Sequence, residues 1–407
     1  MLSLWLAKHQ MNLEFEQRFG VDLGLIPLKE GGVIVHGNAT RLDWEKVTPK
    51  SDAGMVFVVG NPPYLGSARQ APEHKLDFEN WFGTDRYPRD LDYIALWFFK
   101  GAQYISDGRA ELAFVSTNSA SQGDHVALMW PRLLDLDVEV KFAHQSFLWS
   151  NNAKGGAGVT CVVIGLTCHP GSRSLFSNGA KRRVDHISPY LIEAKSDTII
   201  RRRRTSISDL PTMLFGSKPT DGGHLSLSAT ERADILRENP EAADFIYSYK
   251  GAEEFIQGKE RYCIWVVRGQ AKAAQAIPRL GNRFQAVSAF RLKSRKAATR
   301  RLAARGWQFA EPRHQVGSSI IVPAVSSERR EYIPMGFLDE RTVISNAANA
   351  IFNAEPWLFG LVQSRMHMVW VRAVAGRLKS DYRYSAVLVY NTFPVPELDE
   401  AVRNDLT

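Results

Sequence analysis

The segment Met55–Gly66, with the sequence MVFVVGNPPYLG, joins a short apolar run to a run of turn-forming residues. The run Met55–Val59 is typical of a buried β-strand, and the prolines that follow it restrict the backbone beyond the strand. Chance alone produces Asn-Pro-Pro-Tyr in only roughly one in a thousand chains of this length. The structural alternative is a proline-rich turn in which asparagine acts only as a turn former.

This tetrapeptide has a chemical rationale as an amine-binding motif. An NH2 group conjugated to a π-system is a poor nucleophile because its lone pair is delocalised. The Asn61 carboxamide oxygen and the Pro62 carbonyl can each accept a hydrogen bond from that NH2 group, which favours a pyramidal nitrogen able to attack a methyl sulfonium. Pro62 and Pro63 pre-set these acceptors, and Tyr64 offers a flat face for stacking. An adenine flipped out of a duplex fits such a pocket.

The surrounding sequence, from Gly31 to Leu166, alternates β-rich and helical runs and predicts an α/β sheet domain with helices on both faces. A helix is predicted over Asp90–Ile105, where apolar residues recur at helical spacing. Short continuous apolar strands indicate parallel pairing, and ligands in such sheets bind at the carboxyl ends of strands. The predicted strands are Val33–His36, Met55–Val59, Leu112–Val115, Val138–Phe142 and Val159–Ile164.

The composition changes to Gly, Pro, Ser and Asn over Cys168–Lys181, which predicts a boundary there. We divide the chain into a catalytic domain at residues 1–175 and an α+β recognition region at residues 176–407 with a C-terminal helical segment. Within the second region, Arg291–Arg305 is predicted to form a basic helix. Asn349–Ala373 is predicted to form one or two buried helices.

Positive charge is concentrated in the second half of the chain. The 407 residues include 51 Lys+Arg and 43 Asp+Glu, a formal charge of +8, in a composition ordinary enough to exclude a disordered chain. The 50 residues between Glu260 and Glu311 contain no acid, and further bases cluster at Lys181–Arg183 and Arg201–Arg204. A single charge run is usually a solvated face, but a long run of one sign favours a polyanion such as nucleic acid. The bases of the acid-free stretch are Arg261, Arg268, Lys272, Arg279, Arg283, Arg291, Lys293, Arg295, Lys296, Arg300, Arg301 and Arg305.

Several classes of protein are not expected. No apolar run approaches the roughly 18 residues of a spanning helix, and the opening MLSLWLAKHQ lacks a basic leader, so we expect a soluble, cytoplasmic chain with no membrane partner. Cys161, Cys168 and Cys263 are odd in number and widely spaced, so we expect reduced thiols and neither a disulfide framework nor a zinc site. No metal site is expected.

The chain resembles the amino-group DNA methyltransferases of the gamma order, and within them the MmeI-like restriction-modification proteins. The resemblance covers nearly the whole chain through blocks in one order. It implies a partial Rossmann-like class I methyltransferase sheet, methylation of adenine N6 in double-stranded DNA, and S-adenosylmethionine as cofactor. The blocks are GNATRLDW (Gly37–Trp44), GNPPYLG (Gly60–Gly66), LDYIALWFFK (Leu91–Lys100), FVSTNSASQG (Phe114–Gly123), FAHQSFLWSNNAKGGAGVTCVVIG (Phe142–Gly165), FGSKPTDGG (Phe215–Gly223), GAEEFIQGKERYCIW (Gly251–Trp265), VSSERREYIPMGF (Val325–Phe337), MHMVWVRAVAGRLKSDYRYS (Met366–Ser385) and VYNTFPVPE (Val389–Glu397).

The resemblance implies roles for residues of the first region. Asn61, Pro62, Pro63 and Tyr64 would hold the target adenine. Asn38 and Ala39, at the end of a predicted strand, would lie beside the adenine of S-adenosylmethionine. Phe147, assisted by Trp149, would pack on the other face of the target base, although both aromatics could equally be core. Ser116, Thr117 and Asn118 end a strand at the same edge, and a plain turn explains them almost as well.

In the second region the resemblance implies recognition of a short asymmetric DNA sequence. Arg377, Lys379 and Arg383 would contact phosphates, and Tyr382 and Tyr384 would offer stacking surfaces. Glu328, Arg329 and Arg330 follow Ser327 and could contact base edges, although an exposed turn of this kind is usually only solvated.

The chain also departs from the resembled pattern. We find no Gly-rich loop after a strand, no acid after a second strand for the cofactor ribose, and no nuclease domain; Gly155–Gly158 precedes its strand instead of following it. We therefore expect the C-terminal part of a larger or split enzyme, with a separate polypeptide supplying the cofactor-binding half. We also expect weak or absent cofactor binding by this chain alone.

Three hypotheses follow from the sequence. The first is an adenine-N6 DNA methyltransferase component with its own recognition region. The second is a methyltransferase of protein glutamine amides or RNA, for which the long basic region would have no evident use. The third is a DNA-binding fragment without catalytic activity of its own.

Overall fold

The computed structural model describes residues 2–21, 34–51, 54–149 and 159–406. The first half of the chain is built on one six-stranded sheet, in the order β1-β2-β4-β3-β5-β6. Its helices are α1 (Leu2–Phe19), α2 (Trp44–Val47), α3 (Pro72–Phe82), α4 (Ile94–Ile105) and α5 (Asp124–Leu134). Its strands are β1 (Val56–Gly60), β2 (Ala110–Thr117), β3 (Glu139–Trp149), β4 (Val159–Thr167), β5 (Arg173–Ser177) and β6 (Ala180–Val184).

The α/β class is confirmed, but the expected parallel sheet is wrong. Only β1–β2 and β3–β5 are parallel pairs, whereas β4 runs antiparallel between β2 and β3. Most of β4 is buried on both faces of the sheet. Its apolar run therefore has the pattern of a buried parallel strand, and that pattern does not reveal strand direction.

Helix α4 packs closely on β2. A Cβ atom added at Gly101 would lie 2.0 Å from Leu112 Cδ1, so glycine permits the close contact between helix and strand. The predicted helix over Asp90–Ile105 is confirmed from Ile94 onward. It starts later because Asp92 accepts a hydrogen bond from the Ile94 amide at 3.2 Å, so the preceding residues form a turn.

One predicted strand in this region is wrong. Val33 lies outside the described residues, and 34–36 do not form the predicted strand. The domain boundary at residue 175 stays a prediction; the large sheet itself continues past it, because β5 and β6 extend the sheet to Val184. Asn178 and Gly179 have φ of 49° and 78°, so these turn formers make the tight β5–β6 hairpin.

The second half combines three smaller sheets with helices. The sheets have the orders β14-β9-β10-β8, β13-β11-β15-β7 and β12-β17-β16. Its strands are β7 (Met213–Phe215), β8 (Ser226–Leu227), β9 (Ile246–Lys250), β10 (Tyr262–Ile264), β11 (Ser319–Pro323), β12 (Val325–Ser326), β13 (Gly336–Leu338), β14 (Thr342–Ile344), β15 (Ala348–Phe352), β16 (Gly376–Leu378) and β17 (Asp381–Arg383). Its helices are α6 (Ala229–Glu238), α7 (Ala252–Gln257), α8 (Ala271–Ala276), α9 (Pro278–Leu292), α10 (Ala297–Arg301), α11 (Pro356–Val362), α12 (Arg365–Val374) and α13 (Glu400–Asp405).

The single basic helix predicted over Arg291–Arg305 is wrong, because α9 ends at Leu292 and α10 begins at Ala297. The break between α9 and α10 depends on Arg291. Its side chain is fully buried and donates hydrogen bonds to backbone carbonyls, including those of Leu302 and Arg305, so the chain folds back around it. The helices predicted over Asn349–Ala373 are confirmed as α11 and α12, but the first residues of that range belong to β15.

Cys161, Cys168 and Cys263 are free thiols. Across the described parts of the chain, no helix has both the length and the apolarity needed to cross a bilayer. The same residues contain no group of three His, Cys, Asp or Glu side chains placed to hold a metal ion.

Candidate active site and nucleic-acid interface

The segment Asn61–Leu65, which we name the acceptor loop, follows the carboxyl end of β1. Pro62 is buried, whereas Asn61 and Tyr64 are exposed. Among the described residues, neither the Asn61 carboxamide nor the Pro62 carbonyl has a hydrogen-bond partner. Both oxygens therefore remain available as acceptors at the edge of the sheet.

A row of three residues crosses the sheet beside this loop. Cys161 of β4 pairs with Thr117 of β2 on one side and with Phe147 of β3 on the other. A register shift between His144 and Phe147 sets the last part of β3 against β4. Burial raises the pKa of the Tyr64 phenol, and the nearby Cys161 thiol adds to this shift. Tyr64 and Phe147 are therefore both close to Cys161.

Cys161 was missed by sequence reasoning, which considered cysteines only as disulfide or metal partners. It is 1% exposed, and burial raises the pKa of its thiol. Its position in the predicted strand Val159–Ile164 was the only available signal. Phe147 is half-buried and Trp149 is 45% exposed, with ring centroids 6.2 Å apart, so neither is a fully buried core aromatic.

The segment Gly37–Arg41, which we name the Asn38 loop, does not follow a strand as expected. Asn38 Oδ1 accepts hydrogen bonds from the Thr40 amide (3.0 Å) and hydroxyl (2.8 Å), and Nδ2 donates to Asp77 Oδ2 (3.2 Å). Asp77 is 4% exposed and also accepts from Arg41 Nε (2.6 Å) and the Tyr93 hydroxyl (2.7 Å). Burial raises the pKa of the Tyr93 phenol, and the hydrogen bond to Asp77 raises it further. Sequence reasoning missed Asp77 and Tyr93 because this network joins distant segments.

The Asn38 loop fits the adenine end of S-adenosylmethionine. Asn38 is exposed and its Nδ2 atom donates one hydrogen bond, so its second amide hydrogen remains for a ring nitrogen. The small Ala39 side chain leaves room beside it, and its carbonyl is fixed by Trp44 Nε1 at 2.9 Å.

The two clusters predicted to contact DNA lie together in the sheet β12-β17-β16. The turn Ser327–Arg330 follows β12, and its Glu328 amide donates to Asp381 Oδ1 at 3.3 Å. Arg329, Lys379 and Arg383 are exposed there. Lys379 lies in the turn of the β16–β17 hairpin with φ of 59°.

Three residues of this cluster are placed differently from the expectation. Tyr382 and Tyr384 are only 5% and 1% exposed, because the residues on either side of Arg383 face the core. Tyr384 hydrogen-bonds to His367 Nε2 at 2.8 Å. The Arg377 guanidinium lies 3.8 Å from the Tyr382 ring centroid and donates to the Ser380 carbonyl. The two tyrosines therefore offer no stacking surface, and Arg377 supports the hairpin.

The hairpin also touches the first half of the chain. Gly123 has φ of 62°, and a Cβ atom added there would lie 3.0 Å from Gly376 Cα. Gly123 closely follows the 3-10 turn Asn118–Ser121, which continues from the end of β2. Ser116 and Asn118 are 0% and 8% exposed. The hairpin thus lies near the edge that carries the acceptor loop.

The acid-free stretch is partly neutralised by acids that precede it. Its members Arg261, Arg279 and Arg283 pair with Glu254 (2.8 Å), Glu238 (2.6 Å) and Glu231 (2.5 Å). Lys293, Arg295 and Lys296, which we name the basic cluster, are exposed in the segment between α9 and α10. Within the described residues these three have no ion pair, so they remain available for phosphates.

We expect the triple substitution of the basic cluster by alanine to weaken binding to duplex DNA about equally for all sequences. The slope of log K against log salt is negative, and each lost phosphate contact makes it less steep by about 0.9. The slope is measured by fluorescence anisotropy across a salt series. The matched control replaces the ion-paired Arg237, Lys259 and Arg279 by alanine, which changes net charge equally. Equal slopes for the two triple variants would contradict phosphate binding by the cluster.

The chain combines an α/β sheet edge that carries free acceptors for an amine with a basic region of exposed arginines and lysines. This combination is typical of a nucleic-acid methyltransferase domain with an attached recognition region. The chain belongs to the MmeI family: residues 1–177 match the MmeI DNA-methyltransferase domain and residues 194–397 match the MmeI target recognition domain.

Individual relatives agree with this membership. The chain is 42% identical over 408 residues to "DNA methyltransferase A" of Bacillus subtilis (strain 168), covering 100% of this chain and 46% of the relative. It also matches the solved structure of the type IIL restriction-modification enzyme MmeI in complex with DNA, with 37% identity and a TM-score of 0.81 over 98% of this chain and 54% of that one. The chain therefore spans about half the length of these relatives.

Proposed function

We propose that this chain holds the target base and recognises the DNA sequence in S-adenosylmethionine-dependent methylation of adenine N6 at a specific site. The observation that carries the proposal is the pair of acceptors on Asn61 and Pro62, which have no partner among the described residues and lie beside the exposed ring of Tyr64. Membership of the MmeI family, together with the complex of MmeI with DNA, supports DNA as the substrate.

Asn61 Oδ1 and the Pro62 carbonyl accept hydrogen bonds from the two hydrogens of the adenine amine, which directs the nitrogen lone pair out of the ring system. Tyr64 stacks on one face of the flipped base, and Phe147 with Trp149 closes the other face. When the methyl group is transferred, the amine nitrogen gains a positive charge and then loses one proton to water, which reaches the exposed edge at Asn61.

The cofactor, when bound, supplies an electrophilic methyl group. Asn38 and Ala39 hold its adenine, through the remaining amide hydrogen of Asn38 and the space beside Ala39. The DNA is contacted by two groups of residues. The first is the turn Glu328–Arg330 with Lys379 and Arg383, and the second is the basic cluster. The boundary between catalytic and recognition regions follows Val184, where the large sheet ends.

A further polypeptide or chain segment is part of this proposal. Strand β1 pairs with β2, and among the described residues no strand pairs with its other edge. Phe57 and Val59, on one face of β1, are each 67% exposed. A further strand would pair with this edge, and another element of the added polypeptide packed on the sheet face would cover these apolar side chains. Adding the part of the Bacillus subtilis relative outside the match should increase cofactor binding.

The proposal is tested by transfer of label from S-adenosylmethionine to unmethylated duplex DNA, total RNA and a peptide mixture. The assay uses the purified chain with and without that added polypeptide. We expect label only in DNA, released as N6-methyladenine on digestion and identified by mass spectrometry.

The other outcomes separate the alternatives. Label in RNA or on glutamine amides in place of DNA would favour the second substrate class. Salt-sensitive binding to DNA without any label, in both preparations, would leave a recognition fragment without catalysis and would overturn the proposal.

A further inference from the structure

Asp92 holds the acceptor loop from the start of α4. Its carboxylate is 7% exposed and accepts hydrogen bonds from the Leu65 amide (2.8 Å) and the Ile94 amide (3.2 Å). The amide of the next residue, Tyr93, donates to the Leu65 carbonyl at 3.0 Å. Gln70 Nε2 donates to the same carbonyl at 3.0 Å. Both backbone groups of Leu65, directly after the motif, are therefore fixed by one dipeptide and one glutamine.

The side chain of Tyr93 continues to the Asn38 loop. Its hydroxyl donates to Asp77 Oδ2 at 2.7 Å, and the same oxygen accepts from Asn38 Nδ2 at 3.2 Å. Tyr93 and Asp77 are 6% and 4% exposed, so these bonds lie away from solvent and are costly to break. Two consecutive residues thus connect the loop that offers acceptors for the amine to the loop that fits the cofactor adenine.

We infer that Asp92 and Tyr93 are positioning residues that set the separation and orientation of the acceptor loop and the Asn38 loop. This inference rests on the proposed function. A methyl transfer requires the amine and the methyl group in line, and a misplacement of about 1 Å costs about 10²-fold in rate. The rigid packing of α4 on β2 through Gly101 gives the dipeptide a fixed base.

The two residues act on different loops, so their substitutions have different signatures. Tyr93→Phe removes only the hydroxyl bond to Asp77, so we expect the KM for S-adenosylmethionine to rise about 5-fold with kcat nearly unchanged. Asp92→Ala frees the Leu65 amide, so we expect kcat to fall about 10²-fold with little change in that KM. Asp92→Asn retains an acceptor oxygen and should recover much of kcat.

Hydrogen exchange tests the connection without requiring activity. In the full chain we expect Tyr93→Phe to accelerate amide exchange at Thr40 and Asp92→Ala to accelerate it at Leu65. The control is Tyr390→Phe, which removes an equally buried tyrosine bond, to the Pro211 carbonyl at 2.8 Å, far along the chain. Kinetics of all variants are then measured, together with the added polypeptide, using labelled S-adenosylmethionine and unmethylated, polymerase-amplified genomic DNA.

Unchanged exchange at both amides would overturn the inference, as would faster exchange with normal kcat and KM. A uniform loss of activity in Tyr93→Phe, Asp92→Asn and Tyr390→Phe would also contradict it, because it would indicate only lost stability. If the wild-type protein transfers no methyl group to DNA either with or without the added polypeptide, the proposed function fails, and the exchange measurement still decides whether the dipeptide connects the loops.

Discussion

We expect replacement of Asn61 by alanine to lower kcat for the proposed methyl transfer by about 10²–10³-fold and to change the KM for S-adenosylmethionine little. The size of the effect follows from removal of one pre-positioned acceptor that acts on charge developing in the transition state. Asn61 is exposed and has no hydrogen-bond partner among the described residues, so the substitution should leave the fold intact. Single-turnover transfer of label to DNA measures the rate directly.

The matched control is Asn404→Ala, an exposed asparagine in α13, which should transfer methyl groups at the wild-type rate. Asn61→Asp retains acceptor oxygens but adds a charge, so we expect an intermediate rate. An Asn61→Ala protein that transfers at the wild-type rate would show that the tetrapeptide is only a turn.

Replacement of Arg291 by methionine lowers the free energy of unfolding of the second half by about 3–5 kcal/mol. Arg291 is 0% exposed and has no carboxylate among its hydrogen-bond partners. Burial lowers the pKa of its guanidinium, because the charged form loses its hydration. Its five bonds go to the carbonyls of Pro219 (2.8 Å), Thr220 (3.0 Å), Leu302 (3.1 Å), Arg305 (2.8 Å) and Gln308 (2.7 Å). Methionine fills the volume but leaves these carbonyls unsatisfied.

Urea unfolding followed by tryptophan fluorescence measures this effect, since Trp265 and Trp307 are in the adjacent core. Arg291→Lys retains the charge but not the planar set of donors, so it should be nearly as unstable. Arg279→Met removes an exposed ion pair and should unfold close to the wild-type midpoint. Equal midpoints for Arg291→Met and Arg279→Met would contradict this account of the buried arginine.

The sequence predicted those features that depend on local pattern. The strand and turn at Val56–Tyr64 and helix α4 were found because apolar spacing and proline act over a few residues. The antiparallel direction of β4 could not be predicted, because a strand buried on both faces has the same apolar run in either direction. The β5–β6 hairpin itself could not be predicted, because a hairpin turn and a linker are both rich in turn-forming residues.

In the candidate site, too, the sequence predicted the residues that are neighbours along the chain and missed those that only the fold brings together. Asn61 through Tyr64 are contiguous, so their grouping required no tertiary information. Asp77, Tyr93 and Asp92 were missed because their functions depend on partners in distant segments. Tyr382 and Tyr384 were assigned to the surface because sequence alone does not tell which face of a short strand is buried. Arg291 was counted with the phosphate-binding bases because a buried arginine and an exposed one are identical in composition.

In the proposed function, Asn61–Tyr64 binds one adenine, and the second half of the chain selects the DNA sequence in which that adenine lies. The most direct measurement is single-molecule sequencing of N6-methyladenine in DNA from cells free of other adenine methylation that express the protein with its proposed additional polypeptide. We expect methylation of one adenine within one short asymmetric sequence, which is lost in Asn61→Ala and retained in Asn404→Ala. Methylation that persists in Asn61→Ala, or modification of cytosine in place of adenine, would contradict it.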